Sequence, residues 1–377
     1  MVKYFKTAII SLVGCVLLVC LARLIFYNGP VIQPSALPLQ KIVDLHVHAA
    51  GIGAGGSGCY VSDTIKDSYK FDIYLNAFSI SKQELERVGD QVVFRKLSEK
   101  LAQSSHVGKA VVLALDGVIN EQGLLDLSQT EIYIPNQFVA EETAKYNNLL
   151  FGASINPYRP DALERLDQVK QQGAQLIKWI PSIQLIDPGD ARIKSFYQKM
   201  IDLDLPLLTH TGQEKSFTKA QDDLADPLRL KLPLSMGVTV IAAHIATTGE
   251  THGEDNMQRI LPMFVEYPNL YSDISSLTQI NKLGYLNRAL ADPRVKGRLL
   301  YGSDFPLINM VLVSPYYFPL NLKLEQMIAI SNIENVWDRD IKLKQALGVQ
   351  PDVFARTSRI LNLAEPNTSA RIQGEDD

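Results

Sequence analysis

The sequence predicts an α/β fold, a (β/α)8 TIM barrel preceded by an N-terminal transmembrane helix. Three observations predict it. Eight short apolar runs follow residue 40, ending near His48, Asp116, Asn156, Trp179, His210, His244, Ser275 and Asp304. From the third run onward their spacing fits one βα unit, with amphipathic segments such as Ala162 to Gln172 and Ile193 to Leu203 between them. Polar, chemistry-bearing residues close most of the runs, as expected at the carboxyl end of barrel strands. Strands that alternate with helical patterns imply a parallel sheet, and eight of them imply a closed barrel of about 250 residues. A bilobed α/β sheet would not explain polar groups recurring at so many strand ends.

The N-terminal segment reads separately. Lys3 and Lys6 precede an apolar stretch from Ala8 to Ala22; Arg23 interrupts it, and Leu24 to Tyr27 resume it. That is about the ~20 residues needed to span a bilayer, with Arg23 reaching back to the interface. Lysines before the segment favour a cytoplasmic N-terminus and a body on the extracytoplasmic side. Residues 1–27 are therefore expected to be a membrane anchor. A cleaved signal segment is the competing reading. Leu12-Val13-Gly14-Cys15 also looks like a lipoprotein cleavage box, but the residues after Cys15 stay apolar. Residues 28–40 carry three prolines and no charge and read as a linker. The barrel is expected over 41–363, with no second domain, and a polar tail over 364–377.

Composition narrows the function. Of 377 residues, 46% are hydrophobic and 21% charged, which is ordinary for a globular chain with a large core. The net charge is −4 and no basic run appears, so a nucleic-acid partner is excluded. Cys15 and Cys20 lie in the apolar segment, leaving Cys59 alone in the body. No disulfide framework and no cysteine-rich zinc site can be built from that.

The chemistry concentrates at the strand ends. Asp44-Leu45-His46-Val47-His48 closes the first strand, read as beginning with the apolar run from Lys41. Side chains alternate across a strand, so His46 and His48 are expected on one face, where two imidazoles can grip one metal ion. Lys178, His210, His244 and Asp304 follow at later strand ends as further candidate ligands. A polar group ending an apolar strand costs desolvation unless it has a partner. Four of six histidines at three strand ends are hard to ascribe to chance. A glycine-rich loop from Ala49 to Tyr60 follows the first strand. It fits neither a phosphate loop nor a dinucleotide fingerprint, and reads as a flexible lid or substrate-facing loop. Ser81 to Ser104 looks helical.

These motifs together resemble the amidohydrolase superfamily, and more closely its amidohydrolase-related branch of metal-dependent hydrolases and decarboxylases. The resemblance runs from Asp44 to about Leu361. It rests on His46-Val47-His48, Lys178, His210-Thr211-Gly212, Ala243-His244 and Gly302-Ser303-Asp304-Phe305-Pro306. It implies that His46, His48 and Asp304 bind one divalent metal and that Asp304 is the catalytic base. It implies that His210 and His244 bind a second metal, or orient substrate if one ion is present. A divalent cation lowers the pKa of water from about 15.7 toward 7, and a nearby carboxylate shuttles its proton. Imidazole-rich ligation favours Zn2+, with Mn2+ or Fe2+ also compatible. The resemblance gives Lys178 two roles, a CO2-carboxylated bridge between two ions or a contact to a substrate carboxylate; a structural ion pair is the third.

Other residues follow strand ends. Arg159 and Tyr158 are candidate substrate contacts; Arg159 could clamp a substrate carboxylate bidentately or equally form an ion pair. Glu214 is expected to orient substrate or a ligand. Asp273 is expected to hydrogen-bond a ligand histidine, and His106 to be structural. The sequence thus points to a membrane-tethered, metal-dependent hydrolase of an amide, ester or lactone of a small molecule. A metal-dependent decarboxylase on the same fold is the first alternative. A non-catalytic membrane-anchored metal- or ligand-binding protein is the second. Assembly into a homo-oligomer is compatible with the chain.

Overall fold

Eight parallel strands form a ring in chain order: β1 (Ile42–His48), β2 (Val107–Leu113), β3 (Leu149–Gly152), β4 (Ile177–Trp179), β5 (Leu207–Thr209), β6 (Val240–Ala242), β7 (Leu270–Asp273) and β8 (Leu299–Leu300). The structure is a computed structural model, and it describes residues 2–26 and 35–363. Residues 28–34 of the expected linker, Tyr27 at the end of the expected anchor, the side chain of Arg23 and the expected tail at 364–377 lie outside the described residues.

The strands pair as two arcs, β1–β2–β3 and β4 through β8. Backbone hydrogen bonds join the arcs at both seams. Lys178 N donates to Ala153 O at 2.6 Å, and Asp304 N donates to His46 O at 2.9 Å. Helices cover the outside, including Ala162–Gln171 and Lys194–Asp202, close to the ranges read from periodicity. The expected helical stretch after the glycine-rich loop is two helices, Lys82–Val88 and Val92–Ala102. Ser81 caps the first by accepting from Glu84 N.

Strand alternation separates two apolar layers. Val43, Leu45, Val111, Leu113, Leu176, Leu208, Ile241 and Leu300 pack together inside the ring. Neighbours one residue away, such as Val47, Val112, Ile177, Leu207 and Val240, pack outward under the helices. On simple alternation Val43 and Leu45 would leave His46 facing outward. An irregularity in register between Asp44 and Val47 prevents this, since three residues of β1 span what two residues of β2 span. Such a bulge re-aims side chains, and it brings His46 and His48 together over the mouth of the ring with ring centroids 5.1 Å apart.

The N-terminal helix α1 (Val2–Phe26) has 25 residues, about 37 Å at the helical rise. Its Tyr4–Ala22 stretch is long and apolar enough to cross a membrane and is not buried against the body. Two short helices between β1 and β2, α2 (Asp63–Lys66) and α3 (Tyr69–Ala77), rise over the mouth beside a ribbon that pairs Tyr60–Val61 with Ile132–Tyr133 from the segment between β2 and β3.

Buried charge locks β1 to the segment that follows β8. Lys344 Nζ pairs with Asp340 at 2.7 Å and donates to Gly302 O at 3.1 Å. Asp44 accepts from Ser303 N at 2.9 Å and from Trp337 Nε1 at 2.9 Å. Burial pushes the Asp44 carboxyl up to about 6, against the pull of these hydrogen bonds. A carboxyl raised in the folded state stabilises most below its unfolded pKa, and that stability fades as pH rises through the folded value. Relative to Asp44→Asn, the parent protein should therefore lose about 2 kcal/mol of stability between pH 4 and pH 7. Denaturant titrations of both proteins across that range measure it, and parallel pH profiles would contradict the assignment.

Candidate metal and catalytic centre

The site lies where the ring opens at the carboxyl ends of β1, β4, β5, β6, β7 and β8. Lys178 and His210 continue the inward alternation of Leu176 and Leu208 along β4 and β5, as Asp304 continues that of Leu300 past β8. His244 does not follow this parity, because Ile241 and Ala243 already point inward. Three successive left-handed residues, His244, Ile245 and Ala246 at φ of 58°, 50° and 57°, carry its ring over the mouth. Asp304 is also left-handed at φ 63°. Non-glycine residues held there cost of order 1–3 kcal/mol each and cluster where function fixes geometry. Gly212 allows the close approach that this turn demands, since a Cβ there would sit 2.6 Å from Ala246 O.

Asp273 orients the histidines. Its Oδ2 meets His46 Nδ1 at 2.8 Å, which leaves His46 Nε2 facing the mouth. Its Oδ1 accepts from His244 N at 2.9 Å, from Ser275 N at 3.2 Å and from the Ser275 hydroxyl at 2.5 Å. His244 Nδ1 lies 3.1 Å from Ser275 O, which assigns its proton there and leaves Nε2 with a lone pair. Asp304 Oδ1 lies 2.9 Å from His48 Nε2 and 3.5 Å from His46 Nε2, while its Oδ2 accepts from the Ser276 hydroxyl and lies 3.9 Å from His244 Nε2. His210 Nε2 is buried with no hydrogen-bond partner among the described residues; Glu214 Oε2 is 3.7 Å away.

Charge follows burial. Burial, then Lys178, pulls His46 down to about 4 against Asp304 and Asp273, so the ring is neutral at pH 7. Burial also lowers His210 and His244, helped in both by Lys282. Burial alone would raise Asp304, but His46, His48 and His244 hold it well below the carboxylate range. Burial brings Lys178 down to about 8.

This donor set fits a divalent cation. Ligand atoms of His46, His48 and Asp304 lie within 4.8 Å of one another. Imidazole Nε2 atoms turned toward the mouth beside an ionised carboxylate are what such a cation requires. The orphaned His210 Nε2 is a buried acceptor that an ion would satisfy. His46, His244 and Asp273 are also close together, but the Asp273 oxygens are already taken up by the bonds above.

The structure separates the remaining expected residues. Lys178 is fully buried with Nζ 3.1 Å from His46 Nε2, and it has no ion pair among the described residues, so the structural-pair role has no partner. Glu214 lines the mouth cavity and accepts from Ser216 N at 2.7 Å. Arg159 and Tyr158 do not line it, and Arg159 takes the ion-pair alternative instead of a place at the cavity. Arg159 is bidentate on Asp116 at 2.6 and 2.7 Å, and Tyr158 donates to Asp190 at 2.9 Å. The glycine-rich loop is pinned by Asp90, whose Oδ2 accepts from Ile52 N, Gly53 N and Ser57 Oγ, while Ala49 to Ile52 face the cavity. Ser275, Ser276, Tyr74 and Lys282 join the site without having been expected. Two serines following Asp273-Ile274 were a readable signal; Lys282, at the end of a 3-10 turn seven residues beyond Ser275, gave none.

A family model described as amidohydrolase matches residues 116–314. Among solved structures, the chain is similar to an uncharacterised TIM-barrel protein from Bordetella bronchiseptica, at 15% identity over 86% of this chain and 99% of that one, TM-score 0.52. It is similar to a probable 2-pyrone-4,6-dicarboxylic acid hydrolase from Acinetobacter baumannii, at 13% identity over 86% and 100%, TM-score 0.46. It is also similar to a 5-carboxyvanillate decarboxylase from Sphingomonas paucimobilis, at 9% identity over 86% and 99%, TM-score 0.43. No curated protein matches the chain.

Removing the orienting carboxylate tests the centre directly. Asp273→Asn should weaken divalent-metal affinity about 10- to 100-fold, the usual effect of losing the partner that orients a ligand histidine. Competition against a chromogenic chelator reads it, and parental affinity in the variant would refute the role.

Proposed function

The chain belongs to the amidohydrolase family, and from that premise we propose that it is a divalent-metal-dependent hydrolase of an amide, ester or lactone. The observation that carries the reading is Asp304, an ionised carboxylate buried where three imidazoles converge. His46, His48 and Asp304 would hold the cation, which we take to be zinc, with His210 and His244 beside it. When bound, a divalent cation supplies Lewis acidity and makes hydroxide available near neutral pH.

The chain's own residues supply the rest. Asp304 takes the proton of the attacking water and returns it to the leaving nitrogen or oxygen. Ser276 holds the Asp304 carboxylate in place through Oδ2. Lys282 lines the same cavity and places positive charge toward the developing oxyanion. Asp273 fixes the ring of His46, and Ser275 that of His244.

Lys282 supports a second reading, decarboxylation. Its ammonium makes no ion pair among the described residues and so is free to hold a substrate carboxylate. We further propose that α1 tethers the protein, with the body on the extracytoplasmic side. The apolar Tyr4–Ala22 stretch supports the tether, and Lys3 and Lys6 ahead of it support the orientation.

Full-length protein in detergent, loaded with zinc or manganese, should hydrolyse members of an ester, lactone and amide panel. Chelation should abolish turnover and metal should restore it. Asp304→Asn and His46→Ala should each lower kcat by roughly 100- to 10,000-fold. Parental turnover in Asp304→Asn would sink the mechanism. CO2 release from aromatic acids, with no hydrolysis across the panel, would transfer the assignment to decarboxylation.

A further inference from the structure

The cavity extends well past the catalytic end. Its volume is about 320 Å³, and it runs from the histidines to α3, at the low end of the range for small-molecule sites. Phe71, Tyr74, Leu75 and Phe78 recur at helical spacing and turn one face of α3 toward it. Val61 and Ile132 of the ribbon, with Leu115 and Ile134, line the cavity as well. These side chains border a space instead of closing it. An apolar void leaves its lining atoms without dispersion partners, and a ligand of like character restores them.

Resting on the hydrolytic reading, we propose that the substrate carries an apolar acyl group of medium length, seated against α3 with its carbonyl at the histidines. Two features support this direction of binding. Asp304, Glu214, Lys178 and Lys282 line the cavity together with the histidines, while at the α3 end the polar lining is Ser68 and Lys70 at the start of the helix. The Tyr74 hydroxyl bonds Ser216 and feels the charge of Glu214 and Asp304, so α3 meets the catalytic end there, while Phe71, Leu75 and Phe78 present apolar surface to the cavity. The helix α3 and Val61 lie outside the residues 116–314 that match the family model. The acyl chamber is thus built jointly by the segment between β1 and β2 and by Leu115, Ile132 and Ile134 after β2. In the reaction the acyl carbon–heteroatom bond breaks; water gives its hydroxyl to the acyl carbon and a proton to the leaving group.

The test uses metal-loaded, full-length protein and 4-nitrophenyl acetate, butyrate, hexanoate and octanoate. The value of kcat/KM should rise about fourfold per added methylene, the gain from burying each one, until the chamber is full. Ile65, half-buried on α2 and facing the cavity, offers a site for filling it. Ile65→Trp should lower the hexanoyl-to-acetyl ratio at least tenfold. Calorimetric binding of hexanoate against acetate reads the chamber without turnover, and hexanoate should bind tighter. Brisk turnover with no chain-length preference would overturn the acyl chamber and leave hydrolysis standing. No turnover of any ester, with hexanoate still preferred in binding, would overturn hydrolysis and support the chamber. Equal binding of both acids without turnover would overturn both.

Discussion

The Asp273 carboxylate is the constraint on which the rest of the centre depends. It is fully buried at the end of β7, yet both oxygens are used. One holds the ring of His46 from β1, and the other holds the backbone of His244 from β6 and the hydroxyl of Ser275. A single charge therefore ties three strands and fixes which nitrogen of His46 faces the mouth. Burial works against that charge, and His46 and His244 hold it ionised. A partly satisfied network of this kind would be worse than an apolar core; this one is satisfied at each oxygen.

Much of the centre was legible because barrel strands keep parity. Once Leu176 and Leu208 are inside the ring, Lys178 and His210 must be inside too, and the same holds for Leu300 and Asp304. Alternation alone, however, gives the wrong answer for His46 and His244. A bulge re-aims the first and three left-handed residues re-aim the second. Both departures are cooperative properties of neighbouring strands, and no local propensity announces them. The motif carried the positions of these histidines; the geometry that makes them point the right way became visible only with the strands paired.

Arg159 illustrates a different limit. An arginine after a strand end has the chemistry to clamp a carboxylate, and nothing local says which one. Asp116, more than forty residues away in sequence, takes both arms of its guanidinium. The glycine-rich loop was legible as a loop at the mouth but not as one anchored by Asp90. Gly51 shows why glycine is needed there, since a Cβ would lie 2.6 Å from both Asp90 Oδ2 and Cys59 Sγ. That requirement is tight packing and not freedom of motion. In both cases the deciding partner is remote in sequence, so composition and spacing could name the group and not its contact.

The cavity also divides the labour between two parts of the chain. The groups able to do chemistry sit at strand ends, whose positions the barrel dictates within narrow limits. The apolar wall is carried chiefly by α3 and the ribbon, elements inserted over the mouth and free to vary in length and side chain without disturbing strand parity. A change in Phe71 or Leu75 alters the shape offered to a substrate and leaves the hydrogen bonds of Asp273 untouched. Chemistry and selectivity are joined where Tyr74 reaches from α3 toward Glu214 and Asp304. The position of α3 therefore bears on the catalytic end as well as on the apolar one.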